Sequence, residues 1–481
     1  MPFNNPLEIP EIAGIVASSL WSNDLTSCLR VSKKWLALFL PYRWKSVKAG
    51  FEPEDMSNSA QSFTWSGPHP SDIYRHRHLI HSLTMFGDLA GLDKYNYPNL
   101  RKLVVDYTDG AKDPNRMIFL DLVEMFPQVV SLEFKSVKVE AATWMTLSTH
   151  PHITTLDLGS IVITSSVASG FWRACTNLER LELTSVTIEG RAVPDDVMFF
   201  RLTSLSVFEM TGLDKSQELG LIFRCPALKD FQWSKYLRDE DDSHTVITNT
   251  IPNGWPHLEE LDIMDRPDTD VASILQGIGN QHGGLIKLSL LGCTFLEQSS
   301  RALELHFSTL VYLSLSSFSV PSVVVRDILC SCPRLENLSV ECVPVQDIVN
   351  GGDWVCHQLR MLTICFQLEE GEQDLQHDLF KRLSSLVRLE YLSMDCDSLE
   401  ETHEHGTVEF RLENGLGQLA SLKRLKTLGF YGCCPQFSMD EVAWIRIHLK
   451  QLRVRCAQFH REEQEDDKLR DAMELFGLID V

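Results

Sequence analysis

The chain has no run of 18 consecutive apolar residues, so no membrane-spanning helix is expected in it. Its opening residues, Met1-Pro2-Phe3-Asn4-Asn5-Pro6, contain no basic stretch leading into an apolar one, which argues against a secretory leader. Positive charge is scarce. Against 66 Asp and Glu there are only 44 Lys and Arg, a formal charge of −22. That balance is wrong for a phosphate backbone or an anionic bilayer, so neither nucleic acid nor membrane is an expected partner. Catalytic and metal motifs are missing as well. No Cys-x-x-Cys pair points to zinc, and no Gly-x-Ser-x-Gly elbow points to a hydrolase. Gly277-Ile-Gly279 is followed by neither the further glycines nor the lysine of a phosphate loop. His403 and His405 flank Glu404 in a polar stretch without further ligands. The reading is therefore of no catalytic residue, no metal site and no cofactor. The thirteen cysteines are odd in number and mostly embedded in apolar patterns. They read as reduced, buried thiols of a cytoplasmic or nuclear protein.

What is present is a repeat. At 44% hydrophobic and 23% charged the chain has the composition of a folded protein. A six-residue signature, apolar-x-x-apolar-x-apolar, recurs from about residue 80 to 430. Clear copies start at Ile153, Leu178, Leu258, Leu285, Leu310, Leu335 and Leu359; weaker ones start at Ile80, Leu100, Val129, Leu202, Leu228, Leu389 and Leu425. This signature at this spacing indicates leucine-rich repeats. Between copies, Val271/Ile274/Leu275/Ile278 and Val324/Ile328/Leu329/Cys332 fall at helical spacing. The expected fold class is α/β: a solenoid with a horseshoe of parallel strands and helices outside, whose units must stack because none buries its apolar face alone. Cys175, Cys225, Cys332 and Cys356 each stand three residues before a signature, where a helix would end at a small buried thiol. Residues 50–75 have linker composition. Ser438-Met-Asp-Glu441 reads as a capping box opening a terminal helix that covers the array's last edge, ahead of an acidic tail.

The N-terminal 49 residues differ from the array. They contain Ile9-Pro10-Glu11-Ile12, Asp24-Leu25, Val31-Ser32-Lys33-Lys34-Trp35, Pro41 and Trp44. This order resembles an F-box, with Glu11-Ile12 following Pro10 at once where the family usually has one residue between. The cysteine-bearing units likewise resemble those of F-box leucine-rich-repeat proteins. The resemblance implies a three-helix module that docks a substrate receptor onto the Skp-type adaptor of a cullin–RING ubiquitin ligase. By that resemblance Ile9, Pro10, Ile12, Ile15, Leu20, Leu25, Leu29, Val31 and Trp35 would serve adaptor binding. A second helix would start at an Asn23 or Asp24 cap, and a third at Ser32, stopped by Pro41. The alternative is a small bundle that caps the first repeat of an interaction scaffold with no ligase role.

These readings divide the chain into a helical module at 1–49, a linker at 50–75, a repeat array at 76–437, and a capping helix with tail at 438–481. The repeat register also assigns outward strand positions. Glu133, Asp157, Glu182, Asp230 and Asp262, tempered by Lys135 and Arg180, give the first half an acidic face. Ser289, Ser314, Ser339, Thr363 and Ser393, with Tyr312, Tyr391 and Tyr431, give the second half a hydroxyl and tyrosine face. A target protein with a basic segment beside an apolar one would suit that gradient. Acidic insertions at Asp239–Asp242, Glu369–Asp374 and Glu400–Glu404 would extend the surface.

Overall fold

Two residues apart in an extended chain, the last two apolar positions of each signature point the same way. In the computed structural model all fourteen copies form strands, and no signature residue is more than 5% exposed. The structure describes residues 9–53, 63–86, 96–107, 126–190, 193–234, 255–282, 284–316, 320–368, 373–395, 406–431, 437–456, 473–474 and 478. It falls into two units, Met1–Ala227 and Leu228–Val481. Each is a leucine-rich-repeat stack.

Unit 1 begins with three helices: α1 (Pro10–Ser18), α2 (Ser22–Leu29) and α3 (Lys33–Lys45). Ala17, Leu25 and Phe39 form their shared core, with Leu20, Leu29 and Trp35 packed around it. Ser32 caps α3 as its sequence implies, accepting the Trp35 N–H at 3.1 Å. Two details differ from expectation. The cap residue of α2 is Trp21, whose N–H donates to Asp24 in the first turn. Pro41 does not stop α3, which runs on to Lys45. The carbonyl deprived of a partner by Pro41 belongs to exposed Ala37, where water can take its place. Continuing the helix also buries Trp44.

The strands of this unit are β1 (Ser46–Pro53), β2 (Phe63–Ser66), β3 (Ser82–Phe86), β4 (Lys102–Asp106), β5 (Ser131–Lys135), β6 (Thr155–Gly159), β7 (Val162–Ile163), β8 (Arg180–Thr184), β9 (Thr187–Ile188) and β10 (Ser204–Phe208). A parallel ladder joins β1, β3, β4, β5, β6, β8 and β10 in that order. β2 pairs antiparallel with β1, and β7 with β9 makes a separate short ladder. The array therefore starts earlier than residue 76. Part of the expected linker, 50–75, is the end of β1, β2 and the helix α4 (Pro70–His76). The signal was present: Trp44, Val47 and Ala49 fit the signature and are buried. Composition alone had hidden it, because Gly, Ser and Pro are tolerated at an edge. On the helix side, Trp144, Phe171, Trp172 and Phe199 pack as a chain of rings with centroids 4.6–6.2 Å apart.

Unit 2 continues with β11 (Asp230–Ser234), β12 (Glu260–Met264), β13 (Lys287–Leu291), β14 (Tyr312–Ser316), β15 (Asn337–Pro344), β16 (Met361–Leu368), β17 (Tyr391–Asp395), β18 (Gly406–Thr407), β19 (Thr427–Tyr431) and β20 (Arg453–Cys456). All pair in parallel from β11 to β17, then β19 and β20. β18 pairs antiparallel with the end of β16. The helix Met439–His448 does open at the Ser438/Glu441 capping box. It is not the terminal cover, since β20 follows it and extends the ladder. The edge of β20 is met instead by the carbonyl of Leu478, which accepts the Val454 N–H, while Met473 and Leu478 are buried.

One backbone feature recurs. The residue after the strand takes a left-handed φ of 52–55° at Ser136, Ser160, Ser185, Glu209 and Asp265, and 62° at Gly292. Five of those N–H groups, from Ser136, Ser160, Ser185, Asp265 and Gly292, donate to the neighbouring strand's last carbonyl. Each hydrogen bond helps offset the unfavourable backbone.

The cysteines before the strands are structural, as their spacing indicated. Cys175, Cys332 and Cys356 are fully buried, and their carbonyls accept the N–H of Leu178, Leu335 and Leu359. Burial pushes the Cys332 and Cys356 thiols up to about 12. One thiol departs from the uniformly reduced reading: Cys365, buried on β16, is disulfide-bonded. Cys433 and Cys434 lie outside the described residues.

Candidate interaction surfaces

The three-helix module sorts the residues that the resemblance had pooled. Ile15 is 68% exposed and Val31 62% exposed, with their apolar side chains in solvent. Ile9 and Ile12 are half-buried, and the side chain of Pro10 lies outside the description. Leu25 is a core residue and cannot meet a partner directly. Leu20, Leu29 and Trp35 face the same core, the last with its ring 5.3 Å from Phe39. The reason is size. A bundle of fewer than forty residues must spend much of its apolar surface on itself. Two exposed apolar residues lie outside that pooled set: Trp21 at 82% and Leu36 at 41%. The signal for Trp21 was its place at a helix start, where it has no turn before it to pack upon.

On the strand face of unit 1, register sets Glu133, Asp157 and Glu182 side by side on β5, β6 and β8. Adjacent parallel strands lie about 4.8 Å apart, so the three carboxylates form one row. Its first member is already neutralised. Glu133 sits between Lys102 at 2.8 Å and Lys135 at 2.5 Å. Burial alone would raise its pKa, but hydrogen bonds from the two lysines outweigh that and hold it below the usual range. Lys102 was missed by sequence, although it occupies the outward position next to Leu103. Asp157 has no such help. Burial, then Glu182, then Glu133 push its pKa up to about 6, against partial relief from Lys135 and Lys102.

In unit 2, Asp230 and Tyr312 fall in one register row with Glu260 and Lys287, and that row continues through Asn337 and Met361 to Tyr391. Lys287 links its two characters, pairing with Glu260 at 3.0 Å and lying 5.6 Å from the Tyr312 ring centroid. The parallel row runs from Asp262 through Ser289, Ser314, Ser339 and Thr363 to Ser393. Burial raises the Asp262 carboxyl, opposed by a hydrogen bond from Ser289 and by Lys287. The side chain of Tyr431 lies outside the description. So do Asp239–Asp242, Glu369, Glu370, Glu372, Glu400, Glu401, His403, Glu404 and His405. The last strand adds a basic end that sequence did not foresee: Arg453 and Arg455 on β20, both exposed. Its signature is degenerate, with Gln451 where an apolar residue belongs.

Among the described residues, no group of three or more His, Cys, Asp or Glu is arranged to hold a metal ion. No described helix is long and apolar enough to cross a membrane. No protein-family model matches the chain, and no curated protein does. Among solved structures it is similar to an internalin from Listeria monocytogenes. That likeness is 15% identical, covers 77% of this chain and 91% of that one, and has a TM-score of 0.35. It bears on neither partner nor activity.

Proposed function

We propose that this chain is a non-catalytic recognition subunit of a cullin–RING ubiquitin ligase, docked on a Skp-type adaptor through α1–α3 and holding a target protein on its strand faces. The observation that carries the docking half is the exposure of Ile15, Trp21, Val31 and Leu36 on a module that already has a core. A small bundle gains nothing from solvated tryptophan unless a partner covers it. The chain would contribute proximity, holding target lysines near a charged conjugating enzyme.

Co-expression with a Skp-type adaptor, followed by gel filtration, tests the reading. A one-to-one complex is expected, and Trp21→Ala or Ile15→Glu should weaken it by about 30-fold or more while leaving the circular dichroism spectrum unchanged. Failure of the intact, folded chain to bind would overturn it. A second reading, a repeat scaffold whose helices only cap the array, draws on a specific contact. The buried Trp44 ring lies 4.5 Å from the His76 ring, tilted by 32°, and the Lys45 carbonyl accepts the His81 N–H, tying α3 to the first repeats. That reading gains if no adaptor complex forms.

A further inference from the structure

His306 is fully buried in unit 2, at the turn after the helix Glu297–Glu304. Burying an imidazole without partners is costly, and this one has a partner on each ring nitrogen. The backbone N–H of Leu285, at the entry to β13, donates to Nδ1 at 3.0 Å. Nε2 lies 2.9 Å from the carbonyl of Leu275, on the helix Asp268–His282. An amide N–H only donates and a carbonyl only accepts, so the protonation state follows. Nδ1 is bare and Nε2 carries the proton. One neutral ring thus ties together three segments of two successive repeats. Gly284 leaves room for it, since a Cβ there would stand 3.1 Å from Nδ1. Thr309 closes the same turn, its hydroxyl donating to the Leu285 carbonyl at 2.8 Å.

A second proton has no place on this ring. On Nδ1 it would set one N–H against another at the 3.0 Å now spanned by a hydrogen bond, and it would bury a positive charge. No charged group among the described residues acts on the ring to offset that charge. On the helix Asp268–His282, Asp268 and Asp270 lie in the first turn, more than one turn before Leu275. Asp268 already accepts the N–H groups of Leu296 and Ser299, at 2.7 and 3.2 Å. On the helix Glu297–Glu304, Glu297 and Arg301 pair with each other in solvent, and Glu304 is exposed. On the outer side of β13, Lys287 pairs with Glu260 at 3.0 Å. The side chain of His282 lies outside the description. Burial holds the His306 pKa below the ordinary imidazole range, with only partial relief from the Leu275 carbonyl.

We propose that His306 is a pH-sensitive latch: its neutral ring holds these two helices to the entry of β13, and its protonation in mild acid releases them. The sign follows from proton linkage. An imidazole set free takes up a proton near pH 6.5, whereas the buried ring does so only at lower pH. The open state therefore binds more protons, and the latch weakens as pH falls below about 6.5. Asp157 responds in the opposite sense, but it belongs to unit 1, so a local measurement separates the two. The proposal does not depend on the adaptor reading.

The test follows amide hydrogen exchange of the full chain by mass spectrometry at pH 7.5 and pH 5, corrected for the chemical exchange rate. Peptides spanning residues 275–291 should lose protection about three-fold or more at the lower pH, relative to the β6 and β8 peptides of unit 1. His306→Gln keeps an acceptor and a donor but takes no proton, so it should abolish that loss. Unchanged relative protection in the natural chain at pH 5, or an equally large loss in His306→Gln, would overturn the proposal. Imidazole ¹⁵N spectra of the natural chain keep the test valid even if the variant fails to fold. One ring should hold its proton on Nε2 alone below pH 6.5 and charge only as protection is lost. If every ring charges near pH 6.5 while protection stays, the latch does not exist.

Discussion

Asp157 shows how a residue's neighbours, more than its type, set its behaviour. Its folded carboxyl holds a proton up to about pH 6, whereas an unfolded chain releases it near 4. Between those values the native state binds more protons, so ionising Asp157 costs stability as pH rises from about 4 to about 6, and the full cost persists above. Asp157→Asn removes that cost. It should stabilise the protein at pH 7.5 by about 1 kcal/mol after allowance for solvent screening, and by nothing near pH 4. Urea midpoints at the two pH values check this; an equal effect at both would mean that ionisation of the buried carboxyl is not the cause. At Gly292 the backbone decides. Its φ of 62° disfavours any side chain, and an added Cβ would collide with the Asp265 carboxylate. Gly292→Ala should cost about 1–2 kcal/mol, read as a lower urea midpoint.

At the scale of elements, local chemistry and tertiary demand can be told apart. Ser32 was legible because a cap is a short-range device, and its hydroxyl does receive the Trp35 N–H. Ser32→Ala should cost about 1 kcal/mol, seen as faster amide exchange at the start of α3 with strands β3 to β10 unaffected. Pro41 was misread for the complementary reason. Proline disfavours helix locally, yet continuing α3 buries Trp44 against the first repeats, and that gain lies outside any local window. The split of the module's apolar residues into core and exposed sets was equally invisible. Leu25 and Val31 are alike in composition and pattern, and only the packing of α1 to α3 buries one and exposes the other.

Across the whole chain, the repeat is a set of nearest-neighbour contacts, so its ends decide its solubility. The C-terminal end is finished by Met473 and Leu478, the latter accepting the Val454 N–H of β20. Ending the chain after Cys456 should leave that strand edge open and give concentration-dependent association by light scattering. A truncated chain that stays monomeric would show that the exposed Arg453 and Arg455 suffice to protect the edge. The sequence by itself determined the architecture, because a strand's burial follows from alternation within six residues and the repeat restates it fourteen times. It also settled which side of each strand faces out, and hence that Glu133, Asp157 and Glu182 share a row. Only the tertiary structure decided what that row is electrostatically. Lys102 and Lys135 reach Glu133 from either side while Asp157 is left between two carboxylates. It likewise decided that Leu275 and Leu285 meet on the ring of His306, since that meeting depends on how successive repeats stack.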